Sequence, residues 1–228
     1  MNDSSDIEFA KERSWREAKE IDDAFESGQI DQAGWHEAVL AIIEPAYLSA
    51  SNPRAQSGHS GDSDRWRYAR SLLADALPGD GSFLDIGCAN GHLMETLTEW
   101  GAEAGIVIEP YGVEISAPLA ELARARCPQW ADRIWTANAA NWLPSRRFDI
   151  IRTGLDYVPS PLRASYIEHL LNQALVPGGR LVVGVFNEER DQHLLERQVA
   201  SFGYTVAGRV TREHRHPAIH YKAFWIDS

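Results

Sequence analysis

Short apolar runs alternate with helix-like segments along most of this sequence. The clearest run covers residues 83–86, follows turn-forming residues at 78–81, and is followed by small residues at 87, 89 and 91. Residues 92–100 then carry apolar side chains at helical spacing, and Gly101 is expected to end that helix. The pattern predicts a buried strand that ends in a tight loop at the start of a helix.

The same alternation continues to the end of the chain. Four more strands are predicted at residues 111–115, 133–136, 148–153 and 181–186. Helices are predicted from Ser116, from Ser160 to about Leu175, and over residues 189–201. A strand ending at Val210 and an alternating run at 219–226 close the chain. We therefore expect an α/β fold: a doubly wound, mainly parallel seven-stranded sheet with an antiparallel last strand, plus an N-terminal helical extension.

Two acidic helices are predicted before this core, at residues 5–27 and from a cap at Asp31 to Pro45. A polar loop follows at residues 52–61, and Asp62 or Ser63 caps the next helix. We divide the chain into an acidic helical extension with its loop, residues 1–61, and an α/β domain, residues 62–228. The extension is either a substrate lid or dimer contact, or a plain solvated helical segment.

The loop after the first strand has the chemistry of a ligand site. Free N–H groups at a helix N-terminus attract the anionic end of a ligand, and Asp85 at the strand end can accept hydrogen bonds from an ammonium group. Glu114 lies 23 residues beyond Gly91, at the end of the second predicted strand. A carboxylate there can accept both hydroxyls of a ribose. The alternative is a surface glutamate that begins the next helix.

A dinucleotide-binding loop is the weaker interpretation of these residues. Its G-x-G-x-x-G spacing would here be Gly87, Ala89 and His92, and the third glycine serves close helix–strand packing. An imidazole at His92 is a poor substitute for that glycine. A nicotinamide-dependent oxidoreductase therefore stays as an alternative only.

The observed pattern D-x-G-x-A-x-G, at residues 85–91, resembles motif I of the class I S-adenosylmethionine (SAM)-dependent methyltransferases, with Ala89 at the usual middle glycine. Residues 175–181, L-V-P-G-G-R-L, resemble a second signature of that family. Residues 137–144 resemble its G-D-A-x-x-x-L-P segment, with Asn138 in place of the acid. The resemblance covers about residues 64–226, and the first 60 or so have no counterpart.

The resemblance implies that SAM binds with its methionine part at residues 85–91, its ribose at Glu114 and its adenine near Asn138. The carbonyl of Asn138 can accept a hydrogen bond from the adenine amino group without a charge. The side chain of Cys88 is interpreted as packing. The implied cofactor-binding residues are Asp85, Gly87, Cys88, Ala89, Gly91, Glu114, Ile115, Asn138, Ala139 and Thr153.

In this family the residues after the fourth strand face the transferred methyl group. Asp156 and Tyr157 are therefore the leading catalytic candidates, with Asp156, His59 or water as the proton acceptor. An exposed loop acid without a catalytic role is the alternative for Asp156, and an ordinary linker is the alternative for the loop at 52–61. The expected substrate-binding residues are Arg54, Ser57, Asp156, Tyr157 and Asn187.

Composition limits which partners, which cellular compartment and which metals are expected. The chain has 228 residues with a net charge of −11, of which residues 1–44 carry −8 (12 acids against 4 bases). Such an acidic surface disfavours nucleic acid as a partner. Cys88 and Cys127 are the only cysteines, and no run reaches membrane-spanning length, so we expect a cytoplasmic protein without disulfides or membrane contact. His214, His216 and His220 lack further matched ligands, and no metal is predicted.

We therefore expect a SAM-dependent methyltransferase that methylates oxygen or nitrogen of a small-molecule acceptor by in-line transfer. The expected partners are that small molecule and a second copy of the chain, in a homodimer formed through the N-terminal helices. Besides the oxidoreductase, a non-catalytic binding or dimerisation module on the same fold stays open, because fold alone does not fix chemistry.

Overall fold

The computed structural model describes residues 16–189, 192–215 and 219–228, without the side chains of residues 187–189 and 219. Seven strands are found among the described residues: β1 (Gly81–Ile86), β2 (Ile108–Glu114), β3 (Ile134–Thr136), β4 (Phe148–Thr153), β5 (Leu175–Glu189), β6 (Gly208–Glu213) and β7 (Ile219–Asp227). They form one sheet in the order β3-β2-β1-β4-β5-β7-β6. The first five strands are parallel, and β7 is antiparallel to both of its neighbours. The predicted fold class is confirmed.

Seven α-helices lie in the described part of the chain: α1 (residues 16–26), α2 (Gln32–Leu48), α3 (Ser63–Arg70), α4 (His92–Glu103), α5 (Ala117–Arg126), α6 (Arg163–His169) and α7 (Leu194–Ser201). Asp31, Asp62 and Ser116 cap α2, α3 and α5, since each side chain accepts a backbone N–H of its first turn. None of the described helices is long and apolar enough to cross a membrane. The predicted helix at 5–27 falls partly on residues outside the description.

Alternate residues of the central strands face two hydrophobic clusters. Phe83 and Ile150 pack with α3 and α4 on one face of the sheet, whereas Leu84 and Ile151 pack with α6 and α7 on the other. Because side chains alternate along a strand, Asp85 and Arg152 must point to the face of α3 and α4. The strand ends on that face carry the polar groups discussed below.

Several predicted boundaries were wrong. α4 continues past Gly101 to Glu103. Gly101 serves close packing rather than ending the helix, because an added Cβ would come within 3.1 Å of the Ile106 carbonyl oxygen. β2 begins at Ile108 rather than 111 and includes a proline. The strand predicted to end at Val210 runs over Gly208–Glu213, where polar side chains alternate on an edge strand and hide the apolar pattern.

The helical segments near the C-terminus also begin elsewhere than predicted. Ser160 opens a short 3-10 turn without capping it, and α6 begins at Arg163. The helix expected from residue 189 begins at Leu194, because β5 extends to Glu189. The Pro-Gly-Gly segment predicted as a turn lies within β5, where the pairing register with β4 shifts.

Candidate active site at the carboxyl ends of the strands

The sheet register brings four predicted cofactor residues to one edge. Asp85 pairs with Gly112 and with Arg152, and Glu114 pairs with Thr136, so these strands end together. Asn138 follows β3 and Thr153 ends β4 at the same edge. The segments that the sequence implicated in cofactor binding are therefore neighbours in space.

The loop after β1 has three residues in the left-handed backbone region. Gly87, Ala89 and Gly91 have φ angles of 69°, 47° and 78°. Glycine adopts this conformation freely, whereas an alanine there is strained. Cys88 turns its thiol into a small cluster with Met94 and other buried residues, which agrees with a packing role for this side chain. Its backbone N–H and carbonyl bond Val113 and Gly91.

Glu114 links this loop to the end of β2. Its carboxylate accepts the backbone N–H of Ala89 at 2.8 Å and that of Ser116 at 3.0 Å. The side chain is buried, which raises the pKa of Glu114 although both N–H groups oppose the rise. An ionised carboxylate has about four lone-pair sites, so roughly two remain for the hydroxyls of a ligand.

Asp85 is paired with an arginine that the sequence analysis did not include. Arg152 Nη1 donates to Asp85 Oδ1 at 3.2 Å and to the Tyr157 hydroxyl at 3.0 Å. Burial raises the pKa of Asp85 to about 6, while Arg152 limits the rise. Burial opposes the charge of Arg152, but Tyr157 and Asp85 raise its pKa overall. Arg152 and Asp85 form a buried ion pair beneath the loop.

Tyr157 and Asp156 differ sharply in their surroundings. The ring of Tyr157 lies directly against Gly87, where an added Cβ would come within 2.8 Å of its Cζ. Burial raises the pKa of Tyr157, so its hydroxyl stays protonated. Asp156 is exposed. Of the three predicted catalytic residues, Tyr157 is the one seen against Gly87 of the glycine loop.

Asn90 fastens the polar loop at 52–61 to the glycine loop. Its side chain accepts from the Ser57 hydroxyl at 2.6 Å and donates to the Pro53 carbonyl at 3.0 Å. Arg54 instead donates to the Gly61 carbonyl, within its own loop. Sequence reasoning missed Asn90, although its place inside motif I was a signal.

His59, at the end of that loop, is 7% exposed and lies edge-on to Trp66. Burial lowers its pKa to about 4, and the nearby cations Arg70, Arg65 and Arg54 contribute. Its Nε2 has no hydrogen-bond partner among the described residues. His59 is therefore neutral at pH 7 and a weak base.

Helix α2 covers the same edge of the sheet. His36 Nε2 lies 3.1 Å from the Tyr157 carbonyl oxygen, and its Nδ1 lies 3.3 Å from Asn138 Nδ2. The Ser116 hydroxyl donates to Glu44 at 2.5 Å. The helix thus touches the segments expected to meet adenine, ribose and the methyl group.

Comparison with known families decides what kind of domain has this geometry. A family profile described as "Methyltransferase domain" matches residues 60–220. The chain belongs to this methyltransferase family. No curated protein matches the sequence.

Solved structures agree with the methyltransferase fold. An N-methyltransferase, NodS from Bradyrhizobium japonicum, is 19% identical with a TM-score of 0.54, over 72% of this chain and 95% of that one. A Geobacter sulfurreducens SAM-dependent methyltransferase, in complex with S-adenosylhomocysteine, is 14% identical with a TM-score of 0.55, over 81% and 96%. The 1,6-didemethyltoxoflavin-N1-methyltransferase of Burkholderia thailandensis is 16% identical with a TM-score of 0.57, over 84% and 89%. At these identities the likeness shows the fold alone.

The remaining predicted site residues of the methyltransferase domain differ in which face of the sheet they occupy and in whether their polar atoms already have partners. The Thr153 hydroxyl bonds the Tyr166 hydroxyl at 2.7 Å on the α6 face, away from Asp85. Asn138 Oδ1 already accepts the Ala140 N–H at 3.0 Å. Ile115 and Ala139 are half-buried beside Glu114 and Asn138. Asn187 lies in β5, and its side chain is outside the description.

The described histidines among those considered for a metal, His214 and His220, have different surroundings. His214 packs edge-on to Tyr221 and lies near Arg65, His220 is buried in β7, and His216 is outside the described residues. Where the structure describes the chain, no three metal-ligating side chains come together.

The left-handed backbone of Ala89 leads to a prediction about stability. We expect Ala89→Gly to leave the unfolding temperature unchanged or to raise it, because relief of about 1–2 kcal/mol of strain offsets the roughly 0.5–1 kcal/mol by which glycine is less favourable. Ala41→Gly, at an exposed position inside α2, is the control and should lose about 1 kcal/mol, or roughly 2–4 °C. Equal losses in both variants would contradict the strain at Ala89.

His59 should make stability depend on pH. Because its folded pKa of about 4 lies below the unfolded value of 6.5, only the unfolded chain takes up the proton between these values. The free energy of unfolding should therefore fall as the pH is lowered from 6.5 to 4, by on the order of 3 kcal/mol from this residue. Urea unfolding of wild type and His59→Gln across this range measures the difference. Parallel curves would show that His59 titrates normally.

Proposed function

We propose that this chain binds SAM and transfers its methyl group to a small-molecule acceptor, at oxygen or nitrogen. The observation that carries the proposal is the contact between Glu114 and the Ala89 N–H, which joins the glycine loop and the end of β2 into one binding edge. Family membership supports methyl transfer. S-Adenosylhomocysteine bound to the Geobacter protein of the same fold supports the cofactor.

The polar atoms at this edge fit the proposed cofactor. Asp85 Oδ2 is buried, and the described residues provide it with no hydrogen-bond partner, so it suits the ammonium of a methionine group. Glu114 keeps lone pairs for the ribose hydroxyls, and Asn138 lies where the adenine is expected. The Tyr157 ring must leave Gly87 for a ligand to reach the loop backbone.

Alignment and exclusion of water are the main tasks of the protein in this reaction. When bound, SAM supplies a methyl group on a sulfonium, which is already activated for displacement. Holding the acceptor in line with that methyl can contribute about 7–11 kcal/mol. Tyr157 and α2 cover the edge and would exclude water from it. Arg54 and Ser57 belong to the loop held by Asn90 and are proposed to border the acceptor.

An acceptor hydroxyl or ammonium must also lose a proton. His59 is buried, so a proton accepted there cannot pass directly to solvent. Asp156 is exposed at the end of β4 and can pass a proton directly to solvent. We therefore propose Asp156, rather than His59, as the proton acceptor where one is needed.

The class of acceptor, the partners and the location of the protein are part of the same proposal. The Burkholderia relative in fold is named for methylation of a small molecule, which supports an acceptor of that kind. The acidic N-terminal helices disfavour a nucleic-acid substrate. A homodimer through these helices and a cytoplasmic location remain predictions from the sequence.

Binding of S-adenosylhomocysteine to a Glu114 variant tests the assignment. We expect Glu114→Ala to weaken binding roughly 10- to 100-fold in calorimetry, because charge-assisted hydrogen bonds to the ribose are lost. Glu121→Ala, on the exposed side of α5, is the matched control and should bind as wild type does. Circular dichroism must show that the variant is folded, since Glu114 also holds two backbone N–H groups.

Two results would contradict the proposal. Unchanged affinity in Glu114→Ala removes this residue from the ribose site. No heat with SAM or S-adenosylhomocysteine in wild type favours a non-catalytic module, and a thermal shift with NAD instead would favour the oxidoreductase.

A further inference from the structure

Helix α2 brings one more side chain to the binding edge, Tyr47. His36 and Tyr47 lie on the same side of the helix, because the 11 residues between them are close to three full turns. His36 reaches the Tyr157 carbonyl, whereas the Tyr47 ring lies directly against Gly58, where an added Cβ would come within 2.7 Å of its Cζ. Gly58 belongs to the polar loop that Asn90 fastens to the glycine loop, so Tyr47 stands between α2 and that loop.

The segment after β4 faces Tyr47 from the sheet. The Asp156 carboxylate and the Tyr157 ring both lie over Gly154, since an added Cβ there would contact Asp156 Oδ1 and come within 3.2 Å of Tyr157 Cε1. Asp156 is exposed, and none of the described residues donates a hydrogen bond to its carboxylate. This part of the edge therefore offers an open negative charge beside an aromatic ring.

Tyr47 and Asp156 face each other across a gap. Burial raises the pKa of Tyr47, and the charge of Asp156 adds to the rise while Arg70 opposes it, so the two side chains are close together. The Tyr47 hydroxyl nevertheless donates no hydrogen bond to the carboxylate, which leaves space between them. We refer to this space, with Tyr47 on one side and Asp156 and Tyr157 on the other, as the Tyr47–Asp156 gap.

Two arginines lie near Asp156 but are bonded elsewhere. Arg152 forms its ion pair with Asp85. Arg163 donates through Nε to the Leu155 carbonyl at 2.8 Å. Neither arginine forms an ion pair with Asp156, so the charge of this carboxylate is available to a ligand in the gap.

We propose that the Tyr47–Asp156 gap holds the methyl acceptor and selects an amine. The inference rests on the proposed function and names the substrate class of the same site. An ammonium group is attracted by the carboxylate and by the faces of tyrosine rings. A carboxylate or phosphate on the acceptor would be repelled by Asp156. Tyr47 is thus a specificity-determining residue, supplied by the helical extension rather than by the α/β domain.

The transfer of protons and electrons balances for an amine. The ammonium of the acceptor gives one proton to the Asp156 carboxylate, which frees the lone pair of its nitrogen. That lone pair forms the new N–C bond while the C–S bond of the sulfonium breaks and its electron pair stays on sulfur. The methylated nitrogen carries a positive charge again and, like Asp156, releases its proton to solvent.

Matched probes test the choice of acceptor. Benzylamine, benzyl alcohol and benzoate share one carbon skeleton, as do hexylamine, hexanol and hexanoate. With SAM and wild-type protein, we expect at least one amine to increase the release of S-adenosylhomocysteine, and no alcohol or acid to do so. Release with an alcohol or acid alone, or with none of the six compounds, would overturn the inference.

Variants of the two sides show where the amine binds. With the better amine, Asp156→Asn should lower kcat/KM roughly 10- to 100-fold, as for loss of a hydrogen bond to a charged group. Tyr47→Leu should lower it roughly 5- to 30-fold, as for loss of a cation–π contact. The loss in Tyr47→Leu should lie mainly in KM, because Tyr47 exchanges no proton. Tyr47→Phe keeps the ring and should restore the wild-type KM.

Two exposed residues provide matched controls. Tyr68→Leu, in α3, and Asp132→Asn, in the turn before β3, should leave kcat/KM unchanged. Calorimetry with S-adenosylhomocysteine checks that the variants of the gap are intact, and Asp156→Asn should bind it as wild type does. Unchanged kcat/KM in both Tyr47→Leu and Asp156→Asn would overturn the inference. Equal loss of S-adenosylhomocysteine affinity and of amine turnover in Asp156→Asn would also overturn it.

Failure of the proposed function would look different. Wild type would then bind neither SAM nor S-adenosylhomocysteine. In that case calorimetry of the two amines with ligand-free protein decides the inference alone. Binding that Asp156→Asn removes supports an amine site in the gap, and no binding of either amine overturns it.

Discussion

The carboxylate of Glu114 holds together the edge on which the functional site is built. By accepting the N–H groups of Ala89 and Ser116, it fixes the glycine loop against the end of β2 and the start of α5. The loop can then keep its left-handed backbone. Contrary to the expectation of free N–H groups, those of residues 87, 88, 89, 91 and 92 are all bonded within the protein. Glu44 of α2 bonds Ser116 and the Tyr157 ring lies on Gly87, so both contact segments that the Glu114 carboxylate joins.

The structure shows the binding edge in a covered state. Tyr157 lies on Gly87, and α2 reaches across through His36 and Glu44. Each of these contacts is a single hydrogen bond or a ring contact, and a typical hydrogen bond contributes only about 0.5–1.5 kcal/mol net. A ligand that pairs with the buried charged groups of Asp85 and Arg152 can therefore displace Tyr157 and α2. These contacts place α2 at the edge, and a lid role for the N-terminal extension stays a prediction.

The sequence was informative where spacing and topology act together. Parallel strands end at one edge, so the motif at residues 85–91 and Glu114 could be placed together from their positions alone. Arg70, His36 and Asn90 could not be found in this way, because their partners come from segments far apart in the chain. Arg152 did leave a signal, as a cation within the otherwise apolar β4, but its pairing with Asp85 depends on which face of the strand it occupies.

Three features of this edge are unfavourable for a protein without a ligand. Ala89 has a strained backbone, and His59 is buried in its neutral form. Arg70 has a buried Nη1 for which the described residues provide no hydrogen-bond partner. Elsewhere, the central strands pack apolar side chains on both faces of the sheet. Proteins store such strain and unpaired charge at sites where a ligand compensates them. Their concentration around residues 85–91 therefore argues that this edge is built for binding rather than for stability.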